Sequence, residues 1–342
     1  MANTDETSLQ KAKQRAGMAR QSEQGGYSRE VQEELLQQSS KSNLGNFLLE
    51  KAFMLSGMLT ILILLLILGF LLQNSWPALR EISLLEFLTG RRWMPSSPEP
   101  GFGALPLILG SVFVTVGALL MSVPWSIAAA IYLGEVAPGK IREILKPIVE
   151  ILEIFPSVVL GFIALVVVSP IISNVFNLSS GLIGLNGAIV LAVMTLPTII
   201  SISEDALNSV PKDFKEASIA LGATRWETVR NVSLPAASSG IVAAIMLGFG
   251  RAVGETMAVL MAAGNALDMP LKEILNIPLP TLMQSLRTLT ATIAIEGSDV
   301  PWGSTHYHAL FVIGLILFVI TFVVNLVSDI MLSRFQEVNR ND

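Results

Sequence analysis

Two charged residues, Arg251 and Glu255, with Thr256 beside them, interrupt the largely apolar, helix-length stretch 235–264. A charge placed at the centre of a membrane-spanning helix costs about 2.5–3.5 kcal/mol, so such a residue faces a protein interior or a water-filled path rather than lipid. A continuous helix places Arg251 and Glu255, four residues apart, on one face within reach of each other. The order Arg before Glu is the weaker one for intrinsic helix stability, which leaves helix propensity without a claim on the pair. A guanidinium is a planar, permanently charged fork suited to the oxygens of a phosphate or similar oxyanion. The chemistry this points to is anion handling along a transport path, with Glu255 holding the guanidinium while the path is empty or accepting a proton from the anion. An ion pair that only fixes helix register is the competing reading. Gly250 and Gly254 bracket the pair on a small-xxx-small spacing that lets a second helix approach closely.

The elements that must position these residues are membrane helices. The chain has 342 residues, of which 52% are hydrophobic and 14% charged, and the charges cluster between long apolar runs. Six runs are long enough to cross a hydrocarbon core of about 30 Å. They cover roughly 52–72, 104–132, 147–168, 182–202, 236–263 and 308–332. Sixteen Lys and Arg residues fall in the N-terminal tail with Lys51, the second and fourth loops and the C-terminus, against five in the other three loops. This asymmetry predicts cytoplasmic termini. No cleavable signal peptide is expected, because the first apolar segment is too long for one. Pro124, Pro156, Gly161 and Pro197 interrupt the spans and free backbone carbonyls, as in helices that line or hinge around a path; packing kinks explain any single one equally well. The absence of cysteine excludes disulfides and thiolate metal sites.

Outside the spans, residues 1–49 form a polar tail read as largely disordered or interfacial, with residues 42–50 as a helix leading into the membrane. Residues 50–103 comprise the first span and an external loop whose Trp76, Phe87, Trp93 and Phe102 suggest a folded cap, either anchored at the headgroups or touching a ligand. Residues 104–335 form the core. His306 and His308 lack the neighbours of a metal site. Residues 134–140 match the first seven positions of a phosphate-binding loop, but Ile141 stands where a magnesium-binding hydroxyl belongs, no strand precedes the segment, and Pro138 removes a backbone donor. A turn is the expectation there.

The fourth loop, residues 203–234, has helical periodicity and sharp punctuation: Pro211 at a helix start, acids near helix N-termini, and Gly222 between two helical pieces. Glu216-Ala217-Ser218, then Gly222, then Val232-Ser233-Leu234-Pro235 resembles the EAA loop of ABC-importer permeases, with Ser218 and Val232 as mild departures. Gly250-Arg251-Ala252-Val253-Gly254-Glu255-Thr256, Leu88-Thr89-Gly90 with Trp93 and Pro95, Phe102-Gly103-Ala104-Leu105-Pro106 and Arg287-Thr288-Leu289-Thr290-Ala291 are similar to the phosphate-importer branch, PstC type. The likeness covers roughly residues 50–335. It implies an all-α integral membrane protein with the type I ABC importer permease fold, whose five core helices correspond to the second through sixth spans. It further implies a phosphate permease of a bacterial inner membrane that pairs with a second permease (PstA type), an ATPase dimer (PstB type) and an external phosphate-binding protein (PstS type). Glu216, Ala217, Ser218 and Gly222 would then contact the ATPase through a coupling helix, and the partner permease would pack at Gly250 and Gly254. No cofactor is expected on this chain, ATP and magnesium belonging to the ATPase, and no nucleic acid is expected as a partner. A permease for another oxyanion, a passive anion channel or a secondary transporter are the alternatives; a membrane enzyme finds no nucleophile–base or metal-ligand cluster to support it.

Overall fold

The computed structural model describes the backbone of residues 29–267, 271–274 and 277–341. Residues 1–28, and with them most of the expected disordered tail, lie outside the described residues. The chain divides into two compact units, 1–68 and 69–342. The first holds most of helix α1 (Arg29–Glu81), which already includes residues 42–50 and then runs on without a break. Its apolar side chains, such as Phe53, Leu55 and Leu66, are exposed, the arrangement a lipid-facing span requires.

Among the described residues, six helices are long and apolar enough to cross a membrane, as the sequence predicts. In the second unit, the short helix α2 (Leu84–Thr89) and the two-residue strands β1 (Trp93–Met94) and β2 (Gly101–Phe102) precede α3 (Leu105–Ile131). The third span begins later than expected. Residues 139–154 form a separate amphipathic helix, α4 (Gly139–Ile154), and the span runs from Ser157 to Phe176 as α5 (Ser157–Ile163), a π-helical turn and α6 (Ser169–Phe176). Pro156 causes the division, since it lacks an amide hydrogen and disfavours helical geometry in the residue before it. The fourth span is α7 (Gly184–Ser209), and α8 (Lys212–Ala220) and α9 (Arg225–Thr228) follow it. The fifth span ends in α10 (Leu234–Gly254), after which the chain breaks at residues 255–256 and resumes as α11 (Met257–Ala262). A hairpin of β3 (Leu271–Ile274) and β4 (Ile277–Pro280), α12 (Leu289–Glu296) and the sixth-span helix α13 (Thr305–Asn341) complete the chain.

Helix α7 is the most buried span because its inner surface is small. Ala188 and Ala192 let α3, α10 and α11 close around it, and Val114, Leu191, Met194, Ala252 and Val259 fill the seam. Buried Asn186 donates to the carbonyls of Ala164 and Ala262, each at 3.2 Å. It thereby ties the π-helical turn at 164–168 to the end of α11 through their backbone carbonyls.

The loop after the first span is folded. Phe87 and Trp93 are fully buried, and Trp93 meets Phe87 and Phe102 edge-on at 5.9 and 6.2 Å between ring centroids. These aromatics are therefore interior packing, not headgroup anchors; only Trp76 is largely exposed, beneath the Arg80 guanidinium at 5.3 Å. The cap closes where Gly90 and Gly103 touch backbone to backbone, so that a Cβ on Gly103 would fall 2.2 Å from the Gly90 carbonyl carbon. Gly103→Ala is accordingly expected to open the cap while leaving the spans inserted. Exposure of Trp93, read as a red-shifted and quenchable fluorescence component, checks this.

Candidate functional site

Arg251 lies in the last turn of α10, where the sequence expectation of a continuous helix fails. Helix geometry ends at Gly254, and Glu255 is extended, with φ −72° and ψ 128°. The expected Arg251–Glu255 pair is absent for that reason, because an i, i+4 contact needs both residues on one helix. Glu255 instead serves the backbone. Its Oε1 accepts from the Ala258 amide at 3.1 Å, capping the first turn of α11, and its carbonyl accepts from Thr290 Oγ1 at 3.1 Å. Thr256 is the residue preceding α11, beside this break.

Arg251 finds its acceptors on two other elements. Nη1 donates to Glu153 Oε1 at 2.9 Å and to Thr198 Oγ1 at 2.8 Å, and Nη2 donates to the Glu153 carbonyl at 3.3 Å. Thr198 passes its own hydroxyl hydrogen to Glu153 Oε1 at 2.8 Å. The network thus closes with the threonine accepting from the cation and donating to the carboxylate. Glu153 sits in the last turn of α4, whose carbonyls lack intrahelical partners, and a cation at that end also suits the helix dipole. Pro156 and the turn after it prevent the chain from supplying a further helical amide. Thr198 follows Pro197 in α7. The Arg251 and Glu153 side chains are 31% and 39% exposed. Arg251 and Gly250 also line a cavity of about 360 Å³ with Thr321 and Asn325 of α13. A larger cavity of about 810 Å³ lies in the cap that follows the first span, among Glu81, Arg91, Arg92 and His306.

Neither Glu153 nor Thr198 was singled out by residue type and spacing. Glu150 and Glu153 inside an apolar run were the available signal, since an acid there demands a cation. Gly250 and Gly254 have nothing within 4 Å of a would-be Cβ among the described residues, so both positions are open.

A second ionic cluster fastens the other end of α4. Glu204 of α7 is 1% exposed and bonds Arg142, Lys146 Nζ at 2.7 Å and Asn208 at 2.7 Å. The hydrogen bond to Glu204 raises the Lys146 pKa, against burial, which lowers it. Its stabilisation is complete below the ordinary lysine value and fades only as pH climbs through the raised one, so it holds at neutral pH. Lys215 of α8 reaches back to Glu135, in the π-helical turn after α3, at 2.8 Å. The near phosphate-binding loop falls across this turn and the start of α4.

Glu216, Ala217 and Ser218 lie in α8 and Gly222 in the turn after it. Glu216 and Ala217 are exposed on α8, while Ser218 Oγ lies 3.0 Å from Thr228 Oγ1. Gly222 has φ +90°, a left-handed conformation that side-chain-bearing residues rarely adopt. Thr224 and Glu227 then form a capping box that starts α9. Phe214, Ile219, Leu221 and Trp226 remain exposed around the turn. His306 Nε2 contacts Glu296 at 2.8 Å, and Glu296 also holds Arg287 and the Trp93 indole. No group of His, Asp and Glu suited to a metal occurs among the described residues.

Residues 122–337 match the model of the binding-protein-dependent transport system inner membrane component. The chain belongs to this family. The permease is 41% identical over 253 residues to the probable ABC transporter permease protein YqgH of Bacillus subtilis, covering 74% of this chain and 79% of that protein. It is 35% identical over 283 residues to the phosphate transport system permease protein PstC of Mesorhizobium japonicum, covering 77% and 83%. The Haemophilus influenzae PstC is 33% identical over 302 residues, covering 83% and 91%. Among solved structures, a bacterial alginate ABC transporter in complex with an alginate-bound periplasmic protein aligns with a TM-score of 0.55 at 17% identity, over 83% of this chain and 96% of that one. An inward-facing MetNI methionine ABC transporter aligns at 0.51 and 20% identity, over 67% and 96%. These likenesses establish the importer permease fold. The permease is a multi-pass inner-membrane translocation component.

Glu204→Gln is expected to lower the thermal midpoint of the purified permease complex, by an amount corresponding to about 1–3 kcal/mol for lost charge-assisted hydrogen bonds. A fluorescence melt in detergent at neutral pH checks it.

Proposed function

We propose that this permease forms, with a second permease, the path by which an ATP-driven importer moves inorganic phosphate inward across the membrane. The observation that carries the reading is Arg251: a half-buried guanidinium at a break in a membrane helix, beside a cavity, in a chain whose relatives include several phosphate transport permeases. A guanidinium offers paired N–H donors to tetrahedral oxygens, a contact that neutral polar residues do not reproduce. In this reading an external phosphate-binding protein delivers the anion and a separate ATPase dimer, which holds ATP and magnesium, supplies the drive. The segment from α8 to α9 docks that ATPase. Its exposed Phe214, Leu221 and Trp226 give an apolar contact surface around the Gly222 turn, and Lys215–Glu135 ties that surface to the end of α3. Both termini are cytoplasmic in this reading, as the sixteen-to-five distribution of basic residues favours. Gly250 and Gly254 present the open face to which the second permease packs.

Arg251→Gln is expected to cut ATP-driven phosphate uptake by at least roughly tenfold, the loss of one charge-assisted contact, while the complex still assembles. Uptake of radiolabelled phosphate into proteoliposomes carrying the complete importer measures this; undiminished uptake overturns the assignment. Sulfate and other oxyanions as competitors separate phosphate from its chemical rivals, and an ATP-free control separates the importer from a channel. Gly222→Val forces a β-branched residue into a left-handed conformation at a cost of about 1–3 kcal/mol. Loss of ATPase co-purification, or of substrate-stimulated hydrolysis, is expected; retention of both overturns the docking role.

A further inference from the structure

We infer that Glu153 is a displaceable counter-ion of Arg251, a carboxylate that occupies the anion site between transport events and that an entering oxyanion must compete away. The inference rests on the reading of Arg251 as an anion-path residue.

The two ion clusters on α4 differ in the way this inference requires. Glu204 is sealed at 1% exposure and satisfied by Arg142, Lys146 and Asn208, as a permanent fastening is. The Glu153 side chain is 39% exposed, and its carboxylate meets Arg251 through one oxygen only, at 2.9 Å. A monodentate, half-exposed pair is weakly held compared with a bidentate fork. Arg251 also keeps capacity for a second ligand. Of its five N–H donors, three are engaged by Glu153 Oε1, Thr198 Oγ1 and the Glu153 carbonyl, which leaves two without a protein acceptor among the described residues. The same side chain lines the 360 Å³ cavity, which Thr321 and Asn325 make partly polar.

The geometry also says what holds the carboxylate in place. Thr198 donates to the Glu153 oxygen that Arg251 contacts, so the hydroxyl steadies the counter-ion without carrying charge. Glu153 lies three residues before Pro156, at the joint where α4 gives way to the third span. Moving that joint changes the distance between the carboxylate and a guanidinium mounted on α10. An anion arriving at the free donors competes with Glu153 for the same charge, so each weakens the other's hold on Arg251, which is a coupling free energy.

Equilibrium binding of radiolabelled phosphate, and separately of radiolabelled sulfate, to the detergent-purified importer without its external binding protein tests this. The signal read is the part of the binding lost in Arg251→Gln. Glu153→Gln, which keeps shape and backbone, is expected to tighten that binding by about tenfold. Thr198→Val is expected to tighten it less, in the same direction. Unchanged or weaker binding of both anions in an assembled Glu153→Gln complex overturns the inference; if that variant does not assemble, Thr198→Val decides by the same criterion. Tightening for sulfate without phosphate upholds the counter-ion and overturns the phosphate reading. Tightening for neither, with phosphate uptake by the unaltered importer intact, overturns the counter-ion alone.

Discussion

A cation among apolar helices must be answered by acceptors, and in this permease the answer comes from two neighbouring helices rather than from its own. Arg251 stands at the C-terminal end of α10, where its helix stops before the next carboxylate along the chain can reach it. The carboxylate and carbonyl of Glu153 and the hydroxyl of Thr198 take over. One guanidinium thereby joins α4, α7 and α10, the amphipathic helix before a proline break, the most buried span and the span that carries the charge.

That arrangement turns local chain interruptions into a connected device. Pro156 separates α4 from the third span, the break at 255–256 frees Arg251 from Glu255, and Glu255 caps the helix that follows. The opposite end of α4 is held by the Glu204 cluster, and α8 is held to the end of α3 by Lys215 and Glu135. A displacement of α8 has a path of ionic and helical contacts toward α4 and, through it, toward Arg251. The proposed coupling of a docked ATPase to a path within the membrane would use such contiguity.

Much of this was legible from residue order. Six apolar runs give six spans because hydrocarbon thickness fixes helix length. The Glu216–Gly222 segment gives a helix and a left-handed turn because glycine alone enters that region without strain. Arg251 was legible as a residue of consequence because of its cost in an apolar run. The third span begins about ten residues later than its apolar run: the content of 147–154 resembles a span, and only the break at Pro156 assigns those residues to α4. The aromatic cap was legible as folded, but its rings proved to be core packing once Gly90 and Gly103 closed the loop.

The sequence by itself determined the number of spans, the family motifs and the presence of a guanidinium that lipid does not tolerate, because these follow from local composition and spacing. Only the tertiary structure decided that guanidinium's partner. Glu153 and Arg251 are separated by ninety-eight positions, and their meeting depends on where two helices end and how a third packs between them. Periodicity within one helix carries no information about either.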